Sequence, residues 1–217
     1  MNDLSATAPP PRTIAVVSGK GGVGKTTTSL GIAGVIADLG RSVVVVDTDP
    51  QDHGSASWWL NSTDDERLSF ITGTGAELAV NHSKLEQDHI VVDTPPRLDD
   101  DDLDHVLEIA DLALVLSQPA ALDVAAAAQT IASRVRPAGT PYLLVLTQVD
   151  GRSLAEAHDA RLELLAAGHR VAGPVIRQFA AVRRAPLEAM LPTQATEKHR
   201  DDVASLVTEI SLMGALA

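Results

Sequence analysis

The chain contains no cysteine. That absence excludes disulfide scaffolding, thiol catalysis and any cysteine-ligated iron–sulfur cluster. Aromatic side chains are nearly as scarce, with two Trp, one Tyr and two Phe in 217 residues. The core must therefore be aliphatic. No apolar run is long enough to span a membrane as a helix. Positive charge is also short, with 17 Lys and Arg against 29 Asp and Glu, a net charge of −12. The deficit falls in residues 1–150, which carry 9 basic and 21 acidic side chains, whereas residues 151–217 carry 8 of each. Such a chain does not attract nucleic acid through its overall field, so any DNA binding needs a local basic patch. The opening segment MNDLSATAPPPR lacks the basic and apolar regions of a secretory signal. A cytoplasmic protein is expected, with residues 1–12 as a disordered arm.

Hydrophobic residues make up 45% of the chain. That is enough for one α/β domain, placed at 13–217, with a sizeable core. Strand-like runs fall at about 13–18, 42–46, 68–71, 89–93, 112–116, 142–147 and 171–176. Helical patterns fall at about 25–39, 53–60, 75–86, 122–134, 153–167, 180–190 and 197–212, and an Asp-rich loop is expected at 99–102. Apolar strands alternating with amphipathic helices predict a doubly wound, mainly parallel sheet flanked by helices. Ligands of such sheets bind beyond the carboxyl ends of the strands.

One stretch carries most of the chemistry. Gly19-Lys20-Gly21-Gly22-Val23-Gly24-Lys25-Thr26-Thr27 joins the first strand to the first helix. This is the setting of a phosphate-binding loop, whose glycines turn backbone N–H groups toward phosphate oxygens. The helix starting near Lys25 adds the positive end of its dipole. Lys25 would reach the terminal phosphates, and the Thr26 hydroxyl would hold Mg²⁺. Gly21, Gly22, Val23, Gly24 and Thr27 complete the nucleotide cradle. Two acids, Asp47 and Asp49, end the second strand in Asp47-Thr48-Asp49-Pro50-Gln51, and Asp93 ends the strand at 89–93. Phosphoryl transfer to water needs a metal ion, a positioned water and charge neutralisation, and acids at strand ends beside the loop suit the first two.

Lys20 narrows the reading, because a plain phosphate loop needs no lysine just after its first glycine. The segment KGGVGKTT resembles the deviant Walker A motif of the ParA/MinD ATPases. DTDPQ resembles their Walker A′ segment, and Asp93-Thr94-Pro95-Pro96 their Walker B end. The resemblance implies a P-loop NTPase fold and an ATPase that uses ATP and Mg²⁺. It implies a nucleotide-dependent homodimer in which Lys20 crosses to the partner's nucleotide. It assigns Asp49 to the attacking water, Asp47 and Asp93 with Thr26 to the metal, and Gln148 to the base. Absence of cysteine separates the chain from the iron-protein branch of the same superfamily.

Pro119 and Asp123, in Ser117-Gln118-Pro119-Ala120-Ala121-Leu122-Asp123, resemble a dimer-face segment of plasmid-type ParA proteins. The late stretch Val175-Ile176-Arg177-Gln178-Phe179 through Ala185 resembles the basic segment of small ParA proteins, with Phe179 and Val182 departing from its pattern. Arg177, Arg183 and Arg184, with Lys198 and Arg200, are the candidates for non-specific DNA binding. The implied role is ATP-dependent partition or positioning of DNA or another cargo. Hydrolysis would be stimulated by a ParB-like or cargo-adaptor protein, on a nucleoid-associated support.

Two alternatives stand beside it. A MinD-like membrane ATPase needs a basic amphipathic C-terminal helix, whereas the tail from Asp201 is acidic and then small and apolar. A small-molecule ligase of the same fold needs neither Lys20 nor DTDPQ. The histidines show no metal-ligand spacing and are expected at the surface. Trp58 and Trp59 are expected in packing.

Overall fold

The computed structural model describes residues 10–48, 55–63, 65–95 and 100–216. Six strands form one parallel sheet in the order β3-β2-β4-β1-β5-β6. They are β1 Arg12–Val17, β2 Val43–Asp47, β3 Ser69–Thr72, β4 His89–Asp93, β5 Leu112–Ser117 and β6 Tyr142–Leu146. The four central strands are buried on both faces, which is why they read as continuous Val, Ile and Leu runs. Period-two alternation sends their side chains to two separate cores. Ile14, Val16, Val45, Val91, Leu114 and Val145 pack on one face. Ala15, Val17, Val46, Val92, Val115 and Leu146 pack on the other.

Helices α1 (Lys25–Asp38), α2 (Ala56–Asn61), α9 (Pro192–Ala195) and α10 (Glu197–Leu212) supply residues to the first core. Helices α3 (Gly75–Asn81), α4 (Asp100–Ile109), α5 (Ala121–Thr130) and α7 (Leu154–Ala166) supply the second. Two short helices, α6 (Arg136–Ala138) and α8 (Ala180–Arg184), complete the order. Each buried Val, Leu or Ile contributes about 1.5–3 kcal/mol relative to exposure. The doubly wound parallel sheet expected from the sequence is thus present.

Several local expectations need correction. α4 occupies the region read as an Asp-rich loop, because Leu103, Val106 and Leu107 bury one stripe at helical spacing. The run 171–176 is not a strand but makes only isolated bridges, Leu144 with Val171 and Val149 with Arg177. Gly173-Pro174 interrupts it, and proline cannot donate to a ladder. The helix expected over 122–134 relaxes after Thr130 into a π turn, Ile131–Val135. The helix expected over 180–190 ends at Arg184, ahead of Pro186, and becomes a 3₁₀ turn. β1 starts at Arg12 and Pro11 is buried, so the fold begins inside the segment 1–12; residues 1–9 lie outside the described residues. Two histidines expected at the surface, His89 and His199, are buried. Trp59 packs in the core, and its indole N–H donates to the Met190 carbonyl at 2.8 Å.

Candidate active site

The phosphate loop leaves the carboxyl end of β1, at the centre of the sheet, and runs straight into α1. Gly22 and Gly24 have φ of 77° and 88°, where a Cβ would be strained. A side chain at Gly24 would stand 2.8 Å from Gln148 Nε2, and one at Gly19 2.7 Å from the Ala126 carbonyl oxygen of α5. The loop is therefore bare backbone held between α5 and Gln148. It ends on the amino terminus of a 14-residue helix, whose free N–H groups and dipole favour an anion. Lys25 is buried, and its ammonium donates to Ser18 Oγ at 3.0 Å. Ser18 Oγ donates in turn to the Lys20 carbonyl at 2.6 Å.

Asp93 is the electrostatic centre. The Thr26 hydroxyl donates to its Oδ2 at 2.8 Å and the Ser29 hydroxyl to its Oδ1 at 3.0 Å. Thr26 and Ser29 sit at i and i+3 on α1, so one face of the helix presents both hydroxyls to one carboxylate. Burial pushes the Asp93 carboxyl up to about 6, against the two hydroxyl donors that favour its charge. The neighbouring Asp47 adds to the rise and Lys25 opposes it.

Asp47 stands opposite Asp93 in the β2–β4 register. It accepts from the Ser57 backbone N–H at 2.8 Å, which ties the end of β2 to the start of α2. Thr48 fixes the same strand end, donating through both N–H and hydroxyl to the Asp93 carbonyl at 3.1 Å. Asp49, with Pro50 and Gln51, lies outside the described residues.

Lys20 is placed differently from Lys25. Its ammonium is 2.6 Å from Asp123 Oδ1 on α5, beside the exposed Leu122. One lysine of the motif thus lies within the loop, and the other reaches to the neighbouring helix.

Gln148 follows β6 with φ of 56°, a conformation uncommon outside glycine. It lines a narrow cavity of about 40 Å³ with Gly24, Thr27, Arg177, Phe179 and Arg183.

The residues match a nucleotide-binding family along most of the chain. The family described as CobQ/CobB/MinD/ParA nucleotide binding domain covers residues 14–193. The chain belongs to that family. It is 41% identical over 187 residues to a maintenance of carboxysome distribution protein A from Gloeobacter kilaueensis, covering 83% of each chain. It is 31% identical over 211 residues to a protein of the same name from Halothiobacillus neapolitanus, covering 91% of this chain and 95% of that one. Among solved structures, the Pyrococcus horikoshii septum site-determining protein MinD, complexed with Mg-ADP, superposes with a TM-score of 0.74 at 20% identity, covering 95% and 99%. The chain is a ParA/MinD-type ATPase, and its cofactors are ATP and Mg²⁺.

The site residues fit those cofactors. The glycine cradle and Lys25 suit a triphosphate. Thr26, Asp93 and Asp47 are hard oxygen donors of the kind Mg²⁺ takes. When bound, the metal ion supplies charge neutralisation on the phosphate oxygens. Lys25 would hold the phosphate chain and the α1 amino end would orient it, while Asp93 accepts from Thr26 and Ser29. ATPases of this family dimerise and work with partner proteins.

The five candidate DNA contacts are not equivalent. Arg177 is tied to Asp202, with Nη2 2.6 Å from Oδ1, and its guanidinium lies 5.4 Å from the Phe179 ring centroid. Arg200 pairs with Asp38 at 2.9 Å, and Arg184 approaches Glu188 at 3.9 Å. Arg183 and Lys198 are exposed and make no ion pair among the described residues. Ser18, Ser29 and Thr48 were missed in the sequence. Only Ser29 carried a signal, its spacing from Thr26.

Proposed function

We propose that this ATPase positions a large cytoplasmic cargo, using ATP-dependent dimers that bind DNA without sequence preference. The observation that carries the reading is the division of labour between the two loop lysines. Lys25 serves its own loop, whereas Lys20 reaches out of the loop to Asp123 on α5, next in sequence to exposed Leu122, and is available to act outside its own site once Asp123 releases it. A second subunit docking on this face would offer its phosphates as the competing partner.

The relatives named for carboxysome distribution align along most of the chain. They support a protein assembly of that kind as cargo, in place of a plasmid. A cargo-adaptor protein would stimulate hydrolysis in the ParB manner, with the nucleoid as support. Asp49 is assigned the attacking water, and Gln148 the base. Light scattering with ATP and with ADP tests the dimer. Fluorescence of the tagged protein and its cargo in the native cell tests the role. Cargo that stays evenly distributed after deletion of this chain overturns it.

A further inference from the structure

At the opposite end of the sheet from the phosphate loop, a cavity of about 260 Å³ lies between α1 and α10, where β4 begins. Its wall is mainly apolar, with Val35 and Ile36 from α1, Val207 and Leu212 from α10 and Leu216 beyond it, and α10 adds Thr208 and Ser211. Leu39, also in the wall, is 64% exposed, and Leu212 is 85% exposed. Large aliphatic side chains are seldom left open to water in this way around a concave site.

The charged and ionisable groups in this lining are Arg41 and His89. Arg41 Nη1 is 3.3 Å from His89 Nε2 and also donates to the Leu216 carbonyl. A guanidinium has donors only. Nε2 must therefore accept, and the imidazole proton resides on Nδ1. His89 is 2% exposed, and its Nδ1 is buried without a partner. Buried donors are rarely left in this state. Arg41 makes no ion pair among the described residues. The nearby Asp88 carboxylate is instead taken by the Ser42 N–H and hydroxyl, at 3.1 and 2.7 Å. The site thus offers a mainly aliphatic wall, a guanidinium that feels Asp88 but makes no ion pair among the described residues, and a buried N–H donor without a partner. Its complement is a molecule with an apolar body and an anionic head.

We propose that this cavity binds a small anionic amphiphile, a carboxylate on a single aliphatic chain, with its head at Arg41 and His89 and its chain against Val35, Val207 and Leu212. The volume sets the size. A water occupies about 30 Å³ of liquid and a methylene takes similar room, so 260 Å³ encloses about eight such groups, and the end of a ten-carbon chain would lie over the exposed Leu39 and Leu212. A two-chain phospholipid exceeds it. The site is separate from the nucleotide and does not depend on the positioning role proposed above.

Decanoate and decanol, titrated below their aggregation concentrations into the full-length protein with methyl-labelled Val, Leu and Ile, test this by NMR. Decanoate should saturate, moving the Val35, Ile36, Val207 and Leu212 methyl signals and leaving those of β5 in place. Decanol should bind at least tenfold more weakly. Arg41→Gln should weaken decanoate at least tenfold and leave decanol unchanged. Ala204→Phe, which fills the cavity from α10, should abolish both. Mg-ADP should leave decanoate binding unchanged. Equal affinity for decanoate and decanol would refute the anionic site. So would unaltered binding in both variants, displacement by Mg-ADP, or shifts that spread over the surface without saturating.

Discussion

Replacing Asp93 with Asn should stabilise the nucleotide-free protein while removing its response to magnesium. Asp93 is buried, and its carboxyl is raised from 3.8 to about 6. The folded state therefore holds this proton more tightly than the unfolded chain does. The resulting stability is fully present below about pH 4 and is lost as pH rises through about 6. The interval between 3.8 and about 6 corresponds to about 3 kcal/mol by pH 8. Asparagine keeps the shape and removes the charge. Thr26 and Ser29 now donate to the two carboxylate oxygens. One of these hydroxyls must turn to accept from the new amide, which costs about 1 kcal/mol. A net gain of about 1–2 kcal/mol is expected at pH 8, or several degrees in Tm, since ~2–4 °C accompanies each kcal/mol at this size. At pH 5.3 the wild-type carboxyl is mostly protonated, so the gain should shrink by about 1 kcal/mol. Urea unfolding in EDTA at both pH values measures it. In a second arm, Mg²⁺ added to ADP should stabilise wild type and leave the variant where ADP alone put it. A variant no more stable than wild type at pH 8, or a gain that does not change with pH, would refute the burial argument.

Lys25→Ala should abolish ATP binding in calorimetry, because the β- and γ-phosphates lose their fixed counter-ion. Lys20→Ala should keep nucleotide affinity within about twofold and lose ATP-dependent dimerisation and turnover; normal dimers by light scattering would remove the trans role. Asp49→Ala should bind Mg-ATP yet turn over at least tenfold more slowly, since positioning of water counts in the transition state more than in the ground state. Wild-type turnover would show that another group does that work. Arg183→Ala with Arg184→Ala should weaken ATP-dependent DNA retention for all sequences alike. It should also flatten the log–log salt slope by about 0.9 per lost phosphate contact. An unchanged slope would point to a support other than DNA.

Much of this protein is determined locally and is therefore legible in its sequence. A phosphate loop needs left-handed glycines, a buried lysine and a helix start within a few residues, so the segment 19–27 specifies its own geometry. Buried strands must be continuous aliphatic runs, and each of the six strands lies within about a residue of an expected run, whereas the seventh run, 171–176, makes only isolated bridges. Asp47 and Asp93 could be placed because each ends such a run. What the sequence could not carry is whatever depends on residues distant along the chain. The pairing of Lys20 with Asp123 joins positions 103 apart and follows only from α5 packing against the phosphate loop. The hydroxyl pair on Asp93 spans 67 and 64 residues. The basic residues carry no sign of it in sequence, yet Asp202 and Asp38 neutralise Arg177 and Arg200, because α10 sets its Asp202 beside Arg177 and packs its Arg200 against the end of α1. Burial of His89 and His199 was equally invisible, since a lone polar residue carries no period of its own. Short-range geometry fixed the catalytic loop, whereas long-range packing decided which charges remain free.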